Sequence, residues 1–263
     1  MANCQIYIIE HYKDKTIMKI ISNLLILIFL CSSYTSIGQQ IQTDRPNETE
    51  APTVVTVHHL QLENGFSFEK KDGEKTYEVP QIVLRYGVFK NAELRVESAY
   101  KITDQQNDNL YGINPVIVGL KYHLMNHKKG IPDLAILGRI SIPWMADKVY
   151  QEPKYIPEVR LLAQHELSKS FHLGYNAGIH WLAATSHPEY IYTLSADYSV
   201  STKVKLVVEA YGFAQPHHHA DNSADVAILF LVNDNLQLDM IAGSSLIHSS
   251  SDKFAEIGFS FRI

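Results

Sequence analysis

The sequence predicts an all-β protein, a transmembrane antiparallel up-and-down β-barrel of about 12 strands that follows a cleaved signal peptide. Apolar and polar residues alternate along most of the chain from residue 54 onward, and long polar connections alternate with short ones. The chain also ends on a strand with aromatic residues on one face. Its 263 residues are 46% hydrophobic and carry a formal net charge of only -5, which excludes an intrinsically disordered chain.

Residues 1–38 are predicted to be a signal peptide. Residues 20–30 (IISNLLILIFL) form an apolar run that is shorter than the roughly 20 residues of a transmembrane helix. Ser36 and Gly38 supply small residues for cleavage after Gly38, and residues 1–17 read as an over-extended start. Cleavage would remove both cysteines, so the exported chain is expected to have no disulfide and no thiolate metal site.

Strands are predicted where apolar and polar residues alternate, because successive side chains of a strand point to opposite faces. In residues 92–102 the odd positions carry charges such as Arg95, and the even positions carry apolar residues such as Leu94. The same pattern gives twelve strands, at 58–70, 77–88, 92–102, 113–124, 134–144, 155–167, 171–183, 190–200, 203–214, 223–232, 236–247 and 254–263.

The connections favour a membrane barrel over a soluble sandwich. Short ones such as 201–202 alternate with long polar ones such as 104–112 and 145–154, as periplasmic turns and outer loops do. Aromatic residues near the strand ends suit the two membrane interfaces: Trp144, Tyr155, Trp181, Tyr190 and Tyr192 toward the long loops, Phe171 and Tyr198 toward the short turns. We therefore predict a barrel over residues 54–263 in the cell outer membrane of a Gram-negative bacterium.

Several segments carry a resemblance to a known family. They are 43–52 (TDRPNETEAP), 60–66 (LQLENGF), 84–87 (LRYG), 91–95 (NAELR), 233–243 (NDNLQLDMIAG) and 258–262 (GFSFR). Over nearly the whole mature chain, the sequence resembles the MetA-pathway of phenol degradation family of Bacteroidetes-type outer-membrane transporters. The resemblance implies a barrel that moves small solutes, hydrophobic or aromatic ones included. The loop at 216–219 departs from the family pattern.

Charged side chains of both signs point into the predicted lumen by strand parity. Those expected along a solute pathway are Arg85, Arg95, Glu97, Arg139, Glu158, Arg160 and Asp239. Two interpretations stay open, a polar pore that selects solutes or a structural ion-pair network that blocks the lumen. Barrels of about 8 strands are nearly filled and those of about 16 to 18 leave a channel, so about 12 strands do not decide between them.

Residues 39–53 precede the first strand and lack strand alternation. The resemblance favours their folding into the lumen as a plug, and a flexible periplasmic tail is the alternative. Arg45 is then expected to meet lumen carboxylates. The acidic members of the plug, expected to meet lumen arginines, are Asp44, Glu48 and Glu50.

Two sets of loop residues are weighed for chemistry. His217, His218 and His219 are consecutive on a loop, which rarely fixes the geometry of a metal site, so no metal is expected. A lipid-modifying barrel enzyme would need a Ser and a His within hydrogen-bond reach, and the candidates are His180, His187, His248, Ser249, Ser250 and Asp252. No G-x-S-x-G elbow is present, so a non-enzyme without cofactors is predicted, and the enzyme is the alternative.

The expected partners follow from this interpretation. They are outer-membrane lipid, a small solute that the sequence does not identify, and the barrel-assembly machinery, which would recognise the C-terminal strand. Nucleic acid is not expected, because 23 Lys and Arg face 28 Asp and Glu without a basic block. A structural barrel with a blocked lumen is the third possibility.

Overall fold

The computed structural model describes residues 40–71, 73–105, 108–128, 130–183, 187–246 and 252–263. The predicted signal peptide lies outside these residues. The strands are β1 Leu60–Lys71, β2 Glu74–Phe89, β3 Ala92–Gln105, β4 Asp108–Ile113, β5 Val116–Met125, β6 Asp133–Ile142, β7 Ile156–Ser168, β8 Phe171–His180, β9 Glu189–Ser199, β10 Val204–Ala214, β11 Asp221–Asn233, β12 Leu236–Ser245 and β13 Lys253–Arg262. Two 3-10 turns, Pro143–Met145 and Lys148–Tyr150, lie between β6 and β7. No helix among the described residues is long and apolar enough to cross a membrane.

The strands form a closed antiparallel sheet, because β1 pairs on one side with β2 and on the other with β13. β4 and β5 share one position in the barrel: β3 pairs with β5 near its start and with β4 near its end. Asn114 and Pro115 separate the two, and proline cannot donate a hydrogen bond to the ladder. The barrel therefore has twelve strand positions, which confirms the predicted fold.

One expectation about the loops is wrong. Residues 104–112 were expected to form a long polar loop, but most of them continue the β3–β4 hairpin, in which Asp104 lies opposite Asn109. Backbone hydrogen bonds of an antiparallel ladder do not depend on apolar side chains, so polar residues such as Asp104 and Asn109 can pair as well. The alternation of apolar and polar residues is therefore lost where the pairing is not.

The two faces of the barrel have opposite chemistry. Leu94, Leu194 and Val226 point outward and are 46%, 52% and 59% exposed, whereas the inward side chains of Glu93 and Arg95 are buried. Lipid provides no hydrogen-bond partners, so a closed sheet with an apolar outer surface is the form in which strands cross a bilayer. This arrangement confirms the predicted orientation of the strands and places the chain in the outer membrane of a Gram-negative bacterium.

Aromatic residues lie at the outer rim as predicted. Trp144 and Tyr155 are exposed on the lipid side and pack edge to face, with ring centroids 4.6 Å apart. Rings with an apolar body and a polar tip suit the headgroup level of a bilayer.

Candidate solute pathway

A stretch of chain before β1, residues 40–56 and hereafter the inner segment, runs among the inward side chains of the barrel. Near its start, the amide of Ile41 donates to the carbonyl oxygen of Asp234 in the β11–β12 turn (2.8 Å). Near its end, the amide of Val55 donates to Glu93 Oε2 (2.7 Å). The amide of Ala51 donates to Asp44 Oδ1 (3.1 Å), so the segment folds back on itself between these two points.

Asp44 of the inner segment contacts three cations of the barrel wall. Its Oδ2 lies 2.7 Å from Lys121 Nζ, 3.0 Å from Arg95 Nη1 and 3.1 Å from Arg85 Nη1. The three cations come from β2, β3 and β5, and all of them are buried. Buried cations without a nearby negative charge would destabilise the folded protein. The carboxylate of Asp44 therefore supplies part of the negative charge that balances these three cations.

Glu50 forms a second junction with the same wall. Its carboxylate contacts Arg95, lies 3.2 Å from Lys121 Nζ and 3.3 Å from Arg139 Nη1. Burial alone would raise the pKa of Glu50, but the attraction of these cations outweighs it and holds that pKa well below its usual value. The backbone of Glu50 is fixed by Asn176, whose side chain accepts from its amide (2.7 Å) and donates to its carbonyl (3.0 Å).

The other predicted pathway residues of this wall form a chain of ion pairs. Arg139 lies opposite Glu158 across β6 and β7, with 2.6 Å between the charged groups, and its other nitrogen is 3.3 Å from Glu97. Arg160 contacts Glu158 at 2.6 Å and Glu48 of the inner segment at 2.7 Å. Strand parity therefore places these charges on the inside, and the structure brings them together as one network.

Arg45 crosses to the opposite side of the lumen. Its guanidinium lies 3.2 Å from Glu256 and 3.5 Å from Asp239, the last of the predicted pathway residues. The planar group rests on Gly65 and Gly258, which are register partners in β1 and β13. A Cβ on either glycine would collide with the guanidinium, so the two glycines leave the space that it occupies.

Sequence reasoning did not identify the anchors of the segment's backbone. Glu209 Oε2 and Oε1 accept from the amides of Glu48 (2.8 Å) and Thr49 (2.6 Å), and the hydroxyl of Thr49 donates to that of Thr193 (2.8 Å). Parity places Glu209 and Thr193 on the inside. It cannot pair them with backbone amides, which are the same at every residue. The resemblance offered one indirect signal of an inner segment: Gly65 and Gly258, which leave space for Arg45, lie in two of the segments that carry it.

The inner segment lies between two cavities. The larger has a volume of about 380 Å³ and is hereafter the vestibule; the smaller has a volume of about 50 Å³. The residues that line both are Asp44, Arg45, Asn47 and Glu50. The vestibule also reaches Glu78 and Phe254, near the end of the barrel that carries the long loops, whereas the smaller cavity reaches Lys205 near a short turn. Passage through the lumen would therefore have to go past the inner segment.

The three adjacent histidines do not meet a set of further ligands. Across the part of the chain that the structure describes, no group of three or more His, Cys, Asp and Glu side chains is arranged to hold a metal ion. His217 instead packs near the ring of His187, with 6.4 Å between the ring centroids.

The chain belongs to the family described as "Putative MetA-pathway of phenol degradation", whose pattern matches residues 43–263. The inner segment from Thr43 onward and all of the strands fall within the match. No curated protein matches the chain.

Several solved structures share the fold. An outer membrane channel from Pseudomonas putida F1 superposes with a TM-score of 0.61 at 11% identity, over 84% of this chain and 100% of that one. The KdgM porin in complex with disordered oligogalacturonate gives a TM-score of 0.55 at 8% identity, over 76% and 98%. The NanC porin gives 0.55 at 10% identity, over 75% and 98%. At these identities the similarity is one of fold.

Proposed function

We propose that this protein is an outer-membrane channel that carries a small solute through the vestibule, with the inner segment controlling passage and without covalent chemistry. The observation that carries the proposal is the position of the inner segment between the vestibule and the smaller cavity. Four of its residues line both cavities, so any solute crossing the lumen must contact it or displace it. The fold, which an outer membrane channel and the KdgM porin share, supports the same function.

The vestibule limits the kind of solute. Its wall combines charged side chains with the inward rings of Tyr211 and Phe254. A cavity of about 380 Å³ is of the size that holds a drug-like or smaller molecule. We therefore propose a small solute that carries a polar group together with an aromatic or apolar part.

A lipid-modifying enzyme is less well supported. Of the residues considered for it, His180 Nδ1 lies 3.5 Å from Glu189 Oε2, and the ring of His187 packs near His217. His248, Ser249 and Ser250 lie outside the described residues. A Ser and a His in hydrogen-bond reach at the lipid-facing rim would be the observation that favours this alternative.

The C-terminal strand is the proposed signal for membrane insertion. β13 ends with Phe259 and Phe261 on the outward face, and it pairs with β1 to close the barrel. We propose that the barrel-assembly machinery recognises this strand.

Reconstitution tests the proposed function directly. Full-length mature protein in planar bilayers is expected to conduct weakly, and deletion of residues 40–53 is expected to raise the conductance several-fold. Folding of both proteins is verified by heat-modifiable mobility on gels. A second variant, Glu209→Gln, weakens two anchors of the segment while keeping its length, and it is expected to shift conductance in the same direction. A barrel that stays non-conducting and admits no solute into liposomes in all three forms would instead be a structural barrel with a blocked lumen.

A further inference from the structure

The charges along β10–β13 are unbalanced. Four inward carboxylates, hereafter the acidic sector, stand on neighbouring strands: Glu209, Asp225, Asp239 and Glu256. Arg45 of the inner segment contacts Asp239 and Glu256. Among the described residues, no Lys, Arg or His lies within 4 Å of Glu209 or Asp225. Carboxylates elsewhere in the lumen, such as Asp44 and Glu158, do have cations at that distance. The sector thus contains more carboxylates than nearby cations among the described residues.

Asp225 is the least satisfied member of the acidic sector. Its residue is only 6% exposed, and neither carboxylate oxygen receives a hydrogen bond from any described donor. Its register partner on β10 is Glu209, a second carboxylate, which could bond to Asp225 only through a shared proton. Asp225 also lines the vestibule. A buried acceptor without a donor is costly, and a bound cation would remove that cost.

Two aromatic rings stand beside this carboxylate. On β12 the register partner of Asp225 is Gly243, and the next residue across is Phe254 on β13. A Cβ on Gly243 would collide with the ring of Phe254, so that ring lies over the glycine and toward Asp225. The ring of Tyr211 has its centroid 6.5 Å from that of Phe254, and both residues line the vestibule.

We propose that the acidic sector is the solute-recognition site of the vestibule and that it binds a small organic ammonium ion that bears an aromatic or apolar group. The ammonium group would donate to Asp225 and lie near the rings of Phe254 and Tyr211, whose faces attract cations. The apolar part would rest on the rings and on Ile241, which also lines the cavity. The proposal rests on the proposed channel function and specifies its substrate class.

A metal ion or an anion fits the sector less well. Over the described residues the carboxylates do not converge as a group that could hold a metal. Aromatic rings are poor ligands for a small hard cation, which prefers several oxygen ligands. An anion at this side of the vestibule would face the carboxylates of Asp225 and Glu256, and Arg45 is already shared between Glu256 and Asp239.

Binding to the purified full-length mature protein in detergent tests the assignment. The probe is 2-phenylethylammonium, titrated by calorimetry against a detergent blank, with 2-phenylethanol and 3-phenylpropionate as neutral and anionic analogues. The ammonium is expected to bind and both analogues to bind at least about tenfold more weakly, because only a cation gains the charge-assisted bond to Asp225. Equal binding of the three probes, or no binding of the ammonium, would overturn the proposal.

Three variants locate the site. Asp225→Asn keeps the shape of the side chain and is expected to weaken ammonium binding about tenfold or more, and Phe254→Leu by about threefold to tenfold. Asp197→Asn is the matched control, because Asp197 also points inward but lies near Lys205 and His172, outside the lining of the vestibule. It is expected to leave binding unchanged. If Asp225→Asn binds the ammonium as well as the parent protein does, the assignment is wrong.

Conductance of the same preparations separates this inference from the proposed function. Channels that conduct KCl but neither bind nor are blocked by 2-phenylethylammonium would overturn the substrate class and leave the channel function standing. Protein that binds the ammonium with the expected dependence on Asp225 but never conducts would support the site and contradict the channel.

Discussion

The two sides of the lumen wall differ in how their charges are compensated. On β2–β7, hereafter the basic side, Arg95, Lys121 and Arg139 meet carboxylates of the wall and of the inner segment at close range. On β10–β13 the described contacts of the acidic sector are with one cation, Arg45, and two backbone amides. Both sides are inward faces of the same barrel with the same alternation of side chains. The difference shows that strand parity places charge and that the inner segment decides which charges are neutralised.

This difference separates structural from functional polarity in one lumen. A buried ion pair contributes only if both partners are present, and removal of one partner leaves an uncompensated charge. The basic side is therefore expected to be needed for folding. The acidic sector, in which Asp225 has no cationic partner among the described residues, is expected to tolerate neutralisation and to serve binding instead.

The largest expected effect is a loss of stability on the basic side. Arg95→Met removes a buried cation that Asp44, Glu50 and Glu97 share. The negative charge left uncompensated should cost about 3–5 kcal/mol of unfolding free energy. Asp225→Asn should change the free energy of unfolding by less than about 1 kcal/mol, because the carboxylate it removes receives no hydrogen bond from the described donors. Urea unfolding in phospholipid vesicles, followed by tryptophan fluorescence, measures both. Equal losses for the two variants would remove the distinction between the sides.

The outward face of the barrel should respond to a buried charge in a way that does not depend on the two sides of the lumen wall. Leu194 is 52% exposed and lies on the outward face of β9, opposite Ala210. Leu194→Arg should destabilise the barrel by about 2–4 kcal/mol if this position lies at the depth of the bilayer midplane. Leu194→Phe is the matched control and should be nearly neutral in the same unfolding assay. An arginine that costs nothing here would mean that lipid does not contact this face.

The smallest effect is expected at the outer rim. Lys71 and Asp221 form an ion pair at 2.9 Å, but their side chains are 49% and 56% exposed. Lys71→Met should cost no more than about 1 kcal/mol, and its effect should shrink further at high salt. Lys121→Met, the same change at a buried position, should approach the loss expected for Arg95→Met. Similar values for the two lysines would show that burial does not set the cost.

Much of the fold could be predicted because the bilayer imposes a regular pattern. Leu94 and Arg95 alternate for one physical reason, the contrast between lipid and lumen, and this contrast repeats along every strand. The pattern fails in the polar part of the β3–β4 hairpin, where Asp104 lies opposite Asn109.

The site was less accessible to sequence reasoning. Parity predicts that Glu97, Arg139 and Glu158 point inward, but the pairing between them depends on the register of the strands. The contacts of the inner segment depend on a non-repeating path of the backbone, so Glu209 and Asn176 could not be assigned as its anchors. Nor could the sequence show that Asp225 lacks a partner, since a missing contact is a property of the folded chain.

The position of the inner segment is tested most directly by a disulfide. The hydroxyls of Thr49 and Thr193 lie 2.8 Å apart, so Thr49→Cys and Thr193→Cys together should place two sulfurs within bonding reach. In the mature protein, which has no other cysteine after residue 31, oxidation is expected to form this crosslink in nearly all molecules and to hold conductance at its lowest level until a reductant is added. Two free thiols that remain reactive after oxidation, in a barrel that is folded by gel mobility, would show that the segment does not lie in the lumen.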